Sequence, residues 1–171
     1  MEPRRMSWLR NVQVMARAAA LAIALSASAM PALADELTLQ IPALGVSAPV
    51  EDIDVVDGML GTPTQPDDVG AFQLPGNLLV VGHRDWSGQL RAFGRIEGLQ
   101  PGDVVELSDG RAYSVTSTTV FDVDGDQDSW EAAIAPTDGD VLTLISCTGP
   151  FSVSRHEYLQ RVVVQTERAD S

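Results

Sequence analysis

The chain has 171 residues, 44% of them hydrophobic, which is enough to bury the core of one ordinary domain. Its 24 acidic residues outnumber its 11 basic ones and give a formal net charge of −13. Nucleic acids and anionic lipids are themselves negative, so this charge disfavours binding to either by electrostatic attraction, and we expect no nucleic-acid partner.

The first 34 residues have the parts of an export signal. Four arginines lie before an apolar stretch (18–30), and Ala32-Leu33-Ala34 has the small-x-small form of a cleavage site. The stretch is shorter than the ~20 residues that a membrane-spanning helix needs. We predict that residues 1–34 are a signal peptide, with a retained membrane anchor as the alternative, and that 35–171 form one domain. The protein is then extracytoplasmic, either secreted or anchored to the outer face of the cytoplasmic membrane, and contacts the membrane only through this segment.

Beyond this segment, short apolar runs alternate with turn residues, and helical periodicity is nearly absent. The clearest hairpin signal is Ser108-Asp109-Gly110 between two such runs. Seven or eight short strands in one domain are typical of a closed barrel or a sandwich, so the predicted fold class is all-β with one or two short helices. The predicted strands are 37–41, 46–50, 77–82, 104–107, 112–120, 141–147 and 161–165.

The segments between these strands are predicted as loops and short helical turns. Residues 59–72 are rich in Pro, Asp and Gly and indicate a loop, and 92–99 has room for one helical turn. A short helix is predicted over 129–135, with Ser129 as its cap and Pro136 ending it.

Cys147 is the only cysteine, and it ends the apolar run 141–146. His83, 64 residues upstream, ends a similar run, 78–82. A lone cysteine has no internal disulfide partner, so it is either an inert buried thiol or a reactive one. Both residues fall where a predicted strand gives way to a loop, which is a common position for catalytic groups. The pair is therefore the first candidate for a functional site.

Four segments follow one another along the chain in a distinctive order and spacing. They are Leu39-Gln40-Ile41-Pro42-Ala43-Leu44-Gly45-Val46, then Val80-Val81-Gly82-His83-Arg84-Asp85, then the turn Leu99-x-Pro-Gly-Asp103, and last Leu142-Thr143-Leu144-Ile145-Ser146-Cys147 with a later Arg-Val-Val-Val run. In these segments the chain resembles the sortase family. The Gly-His-Arg-Asp and Cys-Thr-Gly-Pro-Phe sequences are most similar to the class F and class D/E groups.

The resemblance implies a mainly antiparallel, closed eight-stranded barrel and a cysteine transpeptidase. Such an enzyme cleaves a Leu-Pro-x-Thr-Gly-like sorting signal through a thioacyl intermediate and transfers the acyl group to an amine. The implied partners are a secreted substrate protein with a C-terminal sorting signal and an amine acceptor on the cell surface. The expected state is a monomer without a cofactor. Two alternatives stay open at this point: a cysteine hydrolase on the same barrel, and a non-catalytic secreted barrel that binds peptides.

By this resemblance, Cys147 is the nucleophile, which is competent as its thiolate. His83 is the proton carrier, since an imidazole titrates near neutral pH. An arginine supplies a fixed positive charge for the oxyanion. Arg161 is the predicted arginine because it precedes a run of three valines, and Arg155 is the alternative.

Further polar residues are candidates for binding substrate or orienting catalytic groups. Asp85 lies two residues after His83 and either orients the imidazole or occupies an exposed turn. Ser146 either supports the oxyanion or faces the barrel wall, and Thr148 directly follows the cysteine. His156, the second histidine, either approaches the cleft or lies on the surface.

One loop carries four carboxylates at every second position. Counted from its first aspartate, Gln127 stands at the sixth position and Ala133 at the twelfth, where an EF-hand needs Gly and Glu. We therefore predict no metal and keep a looser calcium site as the alternative to a solvated acidic loop. The four residues are Asp122, Asp124, Asp126 and Asp128.

Overall fold

A computed structural model describes residues 36–56 and 59–169. The predicted export signal, residues 1–34, lies outside the described residues. The described part contains twelve strands, one α-helix and two short 3₁₀ turns. They are β1 Thr38–Ile41, β2 Val46–Asp52, β3 Val55–Val56, β4 Met59–Leu60, β5 Val69–Leu74, β6 Asn77–Gly82, β7 Asp85–Trp86, β8 Gln89–Leu90, β9 Val104–Leu107, β10 Ala112–Asp122, α1 Gln127–Ala133, β11 Val141–Ser152 and β12 Glu157–Arg168, with the turns at Pro42–Leu44 and Ile96–Gly98.

Eight of the strands close into a barrel in the order β1-β2-β5-β6-β11-β12-β10-β9. Neighbouring strands are antiparallel except for β2 with β5 and β6 with β11, which run parallel. The four remaining short strands form two separate two-stranded sheets, β3 with β4 and β7 with β8. The predicted all-β fold, a mainly antiparallel closed barrel of eight strands with one short helix, is confirmed.

Alternate residues of the barrel strands are apolar and point inward, which is how a strand with a period of two buries one face. On β6, β11 and β12 these inward residues belong to one buried core, to which Phe93 and Ile96 add two fully buried side chains from between β8 and β9. The residues between them project from the outer face of the barrel. The inward residues of the three strands are Leu78, Val80, Leu142, Leu144, Val162 and Val164.

The last hairpin is longer than the sequence predicts. β11 ends five residues later, and β12 begins four residues earlier, than the predicted strands. The two strands pair as far as Ser152 and Glu157, and one position earlier the rings of Phe151 and Tyr158 pack edge to face with centroids 5.3 Å apart. Cross-strand pairing therefore extends both strands through a polar sequence with little strand propensity of its own. As a result, Arg161 lies inside β12 rather than at its start.

The segment 59–72, predicted as a loop, also contains regular structure. β4 occupies its first two residues, and β5 begins at Val69. β5 pairs with β6 on one side and with β2 on the other, so its ladder supplies the hydrogen bonds that the local sequence does not suggest.

The helix begins two residues before the predicted start. Its N-cap is Asp126 rather than Ser129, because the Asp126 carboxylate accepts the backbone N–H groups of residues 128 and 129. The predicted helical turn within 92–99 is present as the 3₁₀ turn Ile96–Gly98. None of the helical elements in the described ranges has the length and apolar character needed to cross a lipid bilayer.

Candidate active site

Cys147 and Arg161 lie directly opposite each other on the paired strands β11 and β12. Cys147 lies three residues after the inward Leu144, and Arg161 directly precedes the inward Val162, so both side chains project from the outer face of the barrel. Directly opposed residues on one face of an antiparallel pair have Cβ atoms about 4.5–5.5 Å apart. The register alone therefore brings the thiol and the guanidinium into the same neighbourhood.

His83 approaches Cys147 from the other side. β6 runs parallel to β11 with Val81 opposite Ile145, and His83 and Cys147 each lie two residues further along. His83 therefore follows the end of β6 at the level of Cys147. Three residues from distant parts of the sequence thus form one row across β6, β11 and β12. We call His83, Cys147 and Arg161 the row.

Gly82, the residue before His83, packs closely against the neighbouring segments. A Cβ on Gly82 would lie 2.5 Å from the ring of Phe93, so a larger residue would have to displace that buried ring. The Gly82 carbonyl accepts a hydrogen bond of 2.9 Å from the hydroxyl of Ser146. This bond fastens β6 to β11 one residue before each member of the His83–Cys147 pair.

The row lies within a region that matches a known protein family. The family model of the sortase domain matches residues 39–169, which is more than half of the chain. The chain belongs to the sortase family. Sortases are cysteine transpeptidases, and this sortase has a single cysteine, which lies in the row. No curated protein matches the chain.

Solved sortase structures share the barrel. Sortase A from Corynebacterium diphtheriae, in a lid mutant, has a TM-score of 0.60 and 20% identity over 80% of this chain and 70% of that one. Sortase A from Listeria monocytogenes has a TM-score of 0.58 and 23% identity over 78% of this chain and 86% of that one. Sortase C-1 from Actinomyces oris has a TM-score of 0.59 and 26% identity over 79% and 74%. These similarities agree with the fold described above.

The thiol of this sortase is half-buried among charges of both signs. Burial raises the pKa of Cys147 above its usual range, because a buried thiolate loses solvation. Arg161 and, less strongly, Arg84 lower this pKa. Asp85 and Glu157 raise it. Since the net pKa is raised, most of the resting thiol is protonated at neutral pH.

The His83 imidazole is held on two sides. Its Nε2 lies 3.0 Å from the carbonyl oxygen of Pro63, and because a carbonyl can only accept, this nitrogen carries a proton. The ring of Trp86 packs edge-on against the imidazole, with centroids 5.0 Å apart. In the neutral tautomer that the Pro63 contact selects, Nδ1 is the nitrogen that accepts a proton.

The two arginines considered for the site have different surroundings. The Arg161 side chain is 25% exposed and donates to the carbonyl oxygen of Tyr158 at 2.7 Å. Arg155 lies in the turn between β11 and β12, where its guanidinium pairs with Asp124. Arg155 is therefore outside the row. His156, next to it in the same turn, is exposed and lies away from the strand positions that form the row.

Asp85 contacts β12 instead of the imidazole. Among the described residues, its carboxylate accepts a hydrogen bond of 2.6 Å from the hydroxyl of Tyr158. This bond raises the pKa of Tyr158. The sequence predicted either an interaction with His83 or an exposed turn; the contact ties the β7–β8 sheet to β12 beside the row.

Ser146 and Thr148 flank the cysteine on the inner face of β11, where they are 2% and 6% exposed. Ser146 donates to Gly82, as described above. Thr148 Oγ1 accepts a hydrogen bond of 3.2 Å from Nη1 of Arg84. The sequence left open whether Ser146 supports the oxyanion or faces the barrel wall, and in the structure it faces the barrel wall. Both hydroxyls therefore make hydrogen bonds that hold neighbouring segments together, and neither lies on the outer face that carries Cys147.

Arg84 is a charged residue beside the row that the sequence did not single out. Its Nη1 donates to Glu97 at 2.9 Å as well as to Thr148. The Glu97 carboxylate raises the pKa of Arg84, so its charge is permanent at any pH of interest. The only sequence signal was its position directly after His83, since Glu97 and Thr148 are both distant in the chain.

The four aspartates from 122 to 128 do not converge on a metal site. Asp122 accepts a hydrogen bond from a glutamine of β12, Asp124 pairs with Arg155, and Asp126 caps α1. Within the ranges that the structure describes, no group of three or more His, Cys, Asp or Glu side chains is arranged to hold a metal ion.

Proposed function

We propose that this sortase is a transpeptidase for a Leu-Pro-x-Thr-Gly-like sorting signal, with Cys147 as nucleophile, His83 as proton carrier and Arg161 as the charge that stabilises the oxyanion. The observation that carries the proposal is the row that strand register makes of these residues. A barrel that only binds peptides does not require a thiol, an imidazole and a guanidinium at one level of its outer face.

The first half-reaction starts when the Cys147 thiol gives its proton to Nδ1 of His83, which yields the thiolate and a protonated imidazole. The thiolate attacks the carbonyl carbon of the scissile peptide bond, and the carbonyl oxygen takes up negative charge. Arg161 offsets this charge because a guanidinium does not lose its proton. When the tetrahedral intermediate collapses, the C–N bond breaks and the leaving amine takes a proton from His83. The products are a thioester on Cys147 and the released C-terminal fragment.

In the second half-reaction, an amine attacks the thioester carbonyl and His83, now neutral, takes its proton. The thiolate of Cys147 leaves as the new amide bond forms. One peptide bond is broken and one is made, and His83 returns to its protonated state. The cycle balances with no redox step, so we propose that it needs no cofactor.

The setting of the reaction follows from the N-terminal sequence and from the family. Residues 1–34 have the form of an export signal, and sortases typically act outside the cytoplasm in association with the membrane. The proposed partners are a secreted protein with a C-terminal sorting signal and an amine acceptor on the cell surface. The proposed subclass is F or D/E, on the strength of the Gly-His-Arg-Asp and Cys-Thr-Gly-Pro-Phe segments.

Intact-mass spectrometry of the purified protein tests the proposal. Wild type and Cys147→Ala are incubated with a Leu-Pro-x-Thr-Gly peptide, with and without glycine amide. The masses of both the protein and the peptide products are then measured. We expect an acyl adduct and cleaved peptide from wild type alone, and a ligated product when the amine is present. Ser154→Ala is the matched control, because it alters a polar residue in the exposed turn between β11 and β12 and should behave as wild type.

Each of the other outcomes would assign the protein a different function. Cleavage that yields only free acid in the presence of the amine would mean a cysteine hydrolase on the same barrel. If neither the peptide nor a thiosulfonate reagent modifies Cys147 at any pH up to 9, the thiol is inert and the chain is a peptide-binding barrel.

A further inference from the structure

Arg84 directly follows His83 and reaches toward the inner side of β11. Its Nη1 lies 2.9 Å from Oε1 of Glu97 and 3.2 Å from Oγ1 of Thr148. Its guanidinium carbon is 5.7 Å from the centre of the Tyr158 ring. These partners belong to the 3₁₀ turn Ile96–Gly98, to β11 and to β12. One side chain therefore contacts three elements around Cys147.

Two hydrogen bonds bracket the His83–Cys147 pair. Ser146 donates to Gly82, which joins the residues directly before the pair, and Arg84 donates to Thr148, which joins the residues directly after it. Both bonds span 64 positions in the sequence. Together they hold the end of β6 level with β11, where the strand ladder itself ends at Val81.

The Arg84 contacts are not those of a freely exposed ion pair. The Arg84 side chain is 22% exposed, and Thr148, its acceptor, is 6% exposed. A partly buried guanidinium that makes several directed contacts has a restricted position and a field that water screens less. An isolated surface pair has neither property.

We propose that Arg84 is a positioning residue for the transpeptidation: its bond to Thr148 holds His83 level with Cys147, and its charge is a second cationic neighbour of the thiol, besides Arg161. The inference rests on the proposed function, since it concerns the same thiol and the same imidazole.

The charges around the thiol explain why a second cation matters. Arg161 and Arg84 favour the thiolate, and two carboxylates oppose it. Without Arg84, one arginine would face both carboxylates, and burial already disfavours the thiolate. The charged groups that act on the Cys147 thiol are Arg161 and Glu157 from β12, Asp85 from β7 and Arg84 after β6, and the titratable His83 lies level with it after the end of β6.

Substitutions separate the two roles of Arg84. Arg84→Met removes both the bond and the charge while it keeps an unbranched apolar stem. Arg84→Lys keeps the charge on a shorter side chain and loses the Nη1 group that donates to both acceptors. Thr148→Val removes the acceptor and leaves the charge in place, and Thr148→Ser restores a hydroxyl.

Two readouts report on the two roles. The chain has one cysteine, so the mass gained from iodoacetamide measures Cys147 alone, and its rate against pH follows the thiolate fraction. Peptide cleavage gives kcat and KM. For Arg84→Met we expect alkylation at pH 7 about threefold slower, a curve displaced to higher pH, and kcat about tenfold lower at nearly unchanged KM.

The other variants should change kcat without changing the alkylation curve. Arg84→Lys and Thr148→Val should keep the alkylation curve of wild type and lose kcat about fivefold, and Thr148→Ser should regain most of it. Arg111→Met is the matched control, because Arg111 pairs with Asp109 at the β9–β10 turn and its side chain is 31% exposed. It should leave both readouts unchanged.

The inference is overturned if Arg84→Met alkylates with the pH curve of wild type, or if Thr148→Val keeps the wild-type kcat. If Arg84→Met does not fold, Glu97→Gln tests instead whether the charge of Arg84 stabilises the thiolate. Removing the acidic partner of Arg84 should speed alkylation of Cys147 about twofold. An unchanged or slower rate refutes the proposed effect of the charge. A wild type that alkylates but cleaves no sorting peptide refutes the proposed function instead, while the alkylation curves still decide whether the charge of Arg84 acts on the thiol.

Discussion

On the inner face of β11, Leu142 and Leu144 are fully buried in the barrel core, whereas the outer face carries Cys147, a half-buried thiol opposite Arg161. The inner face continues past the core as Ser146 and Thr148, whose hydroxyls make the bonds that bracket the site. Around Cys147, successive residues of β11 thus alternate between hydroxyls that hold the barrel together and the candidate nucleophile. Because the strand has a period of two, substitutions one position apart should affect different properties.

The largest expected effect is on the outer face. Cys147→Ala should abolish peptide cleavage, by about 10⁴-fold or more, because it removes the thiol that forms the thioester in the proposed reaction. The free energy of unfolding should change by less than about 1 kcal/mol, since the Cys147 side chain is only half-buried and lies outside the barrel core. Cleavage assays and urea titrations check the two parts. Retained cleavage, or a large loss of stability, would contradict the division between the faces.

The next largest effect is on the inner face. Leu144→Ala should lower the free energy of unfolding by about 2–5 kcal/mol, because Leu144 is fully buried in the core and the truncation leaves a cavity. Urea titration measures the loss. Leu90→Ala, at a leucine that is 50% exposed on β8, is the control and should cost less than about 1 kcal/mol. Equal losses at the two positions would show that the inner face does not carry the core.

Ser146→Ala tests the boundary between the two faces. It removes the donor to the buried Gly82 carbonyl and should cost about 1–2 kcal/mol of unfolding free energy. The alkylation of Cys147 against pH should stay as in wild type, because the hydroxyl carries no charge. Ser154→Ala, in the exposed turn, should cost almost nothing. A displaced alkylation curve without a stability loss would assign Ser146 to the chemistry instead.

The smallest expected effect concerns the charges beside the thiol. Glu157 raises the pKa of Cys147 and lies 3.7 Å from Arg161, so Glu157→Gln should lower that pKa. Because a lower pKa gives more thiolate at a given pH, the alkylation curve should move to lower pH and the rate at pH 7 should rise about twofold. Glu106→Gln, at an exposed glutamate of β9, is the charge-matched control. A curve that moves the other way would mean that Glu157 acts mainly by holding Arg161 in place.

The sequence predicted the barrel because its apolar runs are short, numerous and separated by turn residues, and this pattern depends only on local composition. It did not predict the length of the last hairpin, since residues such as Ser152 and Glu157 join the strands through pairing with each other rather than through their own propensities. It placed the helix cap at Ser129 because Ser and Asp are about equally good caps, and only the fold shows which carboxylate meets the free N–H groups.

In the site, too, the sequence predicted the residues that have a local signal and missed the contacts between distant segments. Cys147 and His83 stood out because each ends an apolar run, which is a local signal. The partners of Asp85 and Thr148 were not predictable, because Tyr158 and Arg84 reach them across 73 and 64 positions of sequence. Contacts of this kind depend on which strands become neighbours and in which register, and neither is encoded in a short window.

The position of the β11–β12 hairpin also has a consequence for folding. These last two strands insert between β6 and β10, so the barrel stays an open sheet until they arrive. Their pairing with β6 closes a long loop, which is a slow step in β-rich topologies. The thiol therefore acquires its imidazole and its guanidinium only as the barrel closes. A chain that emerges N-terminus first carries no assembled reactive centre until its folding is nearly complete.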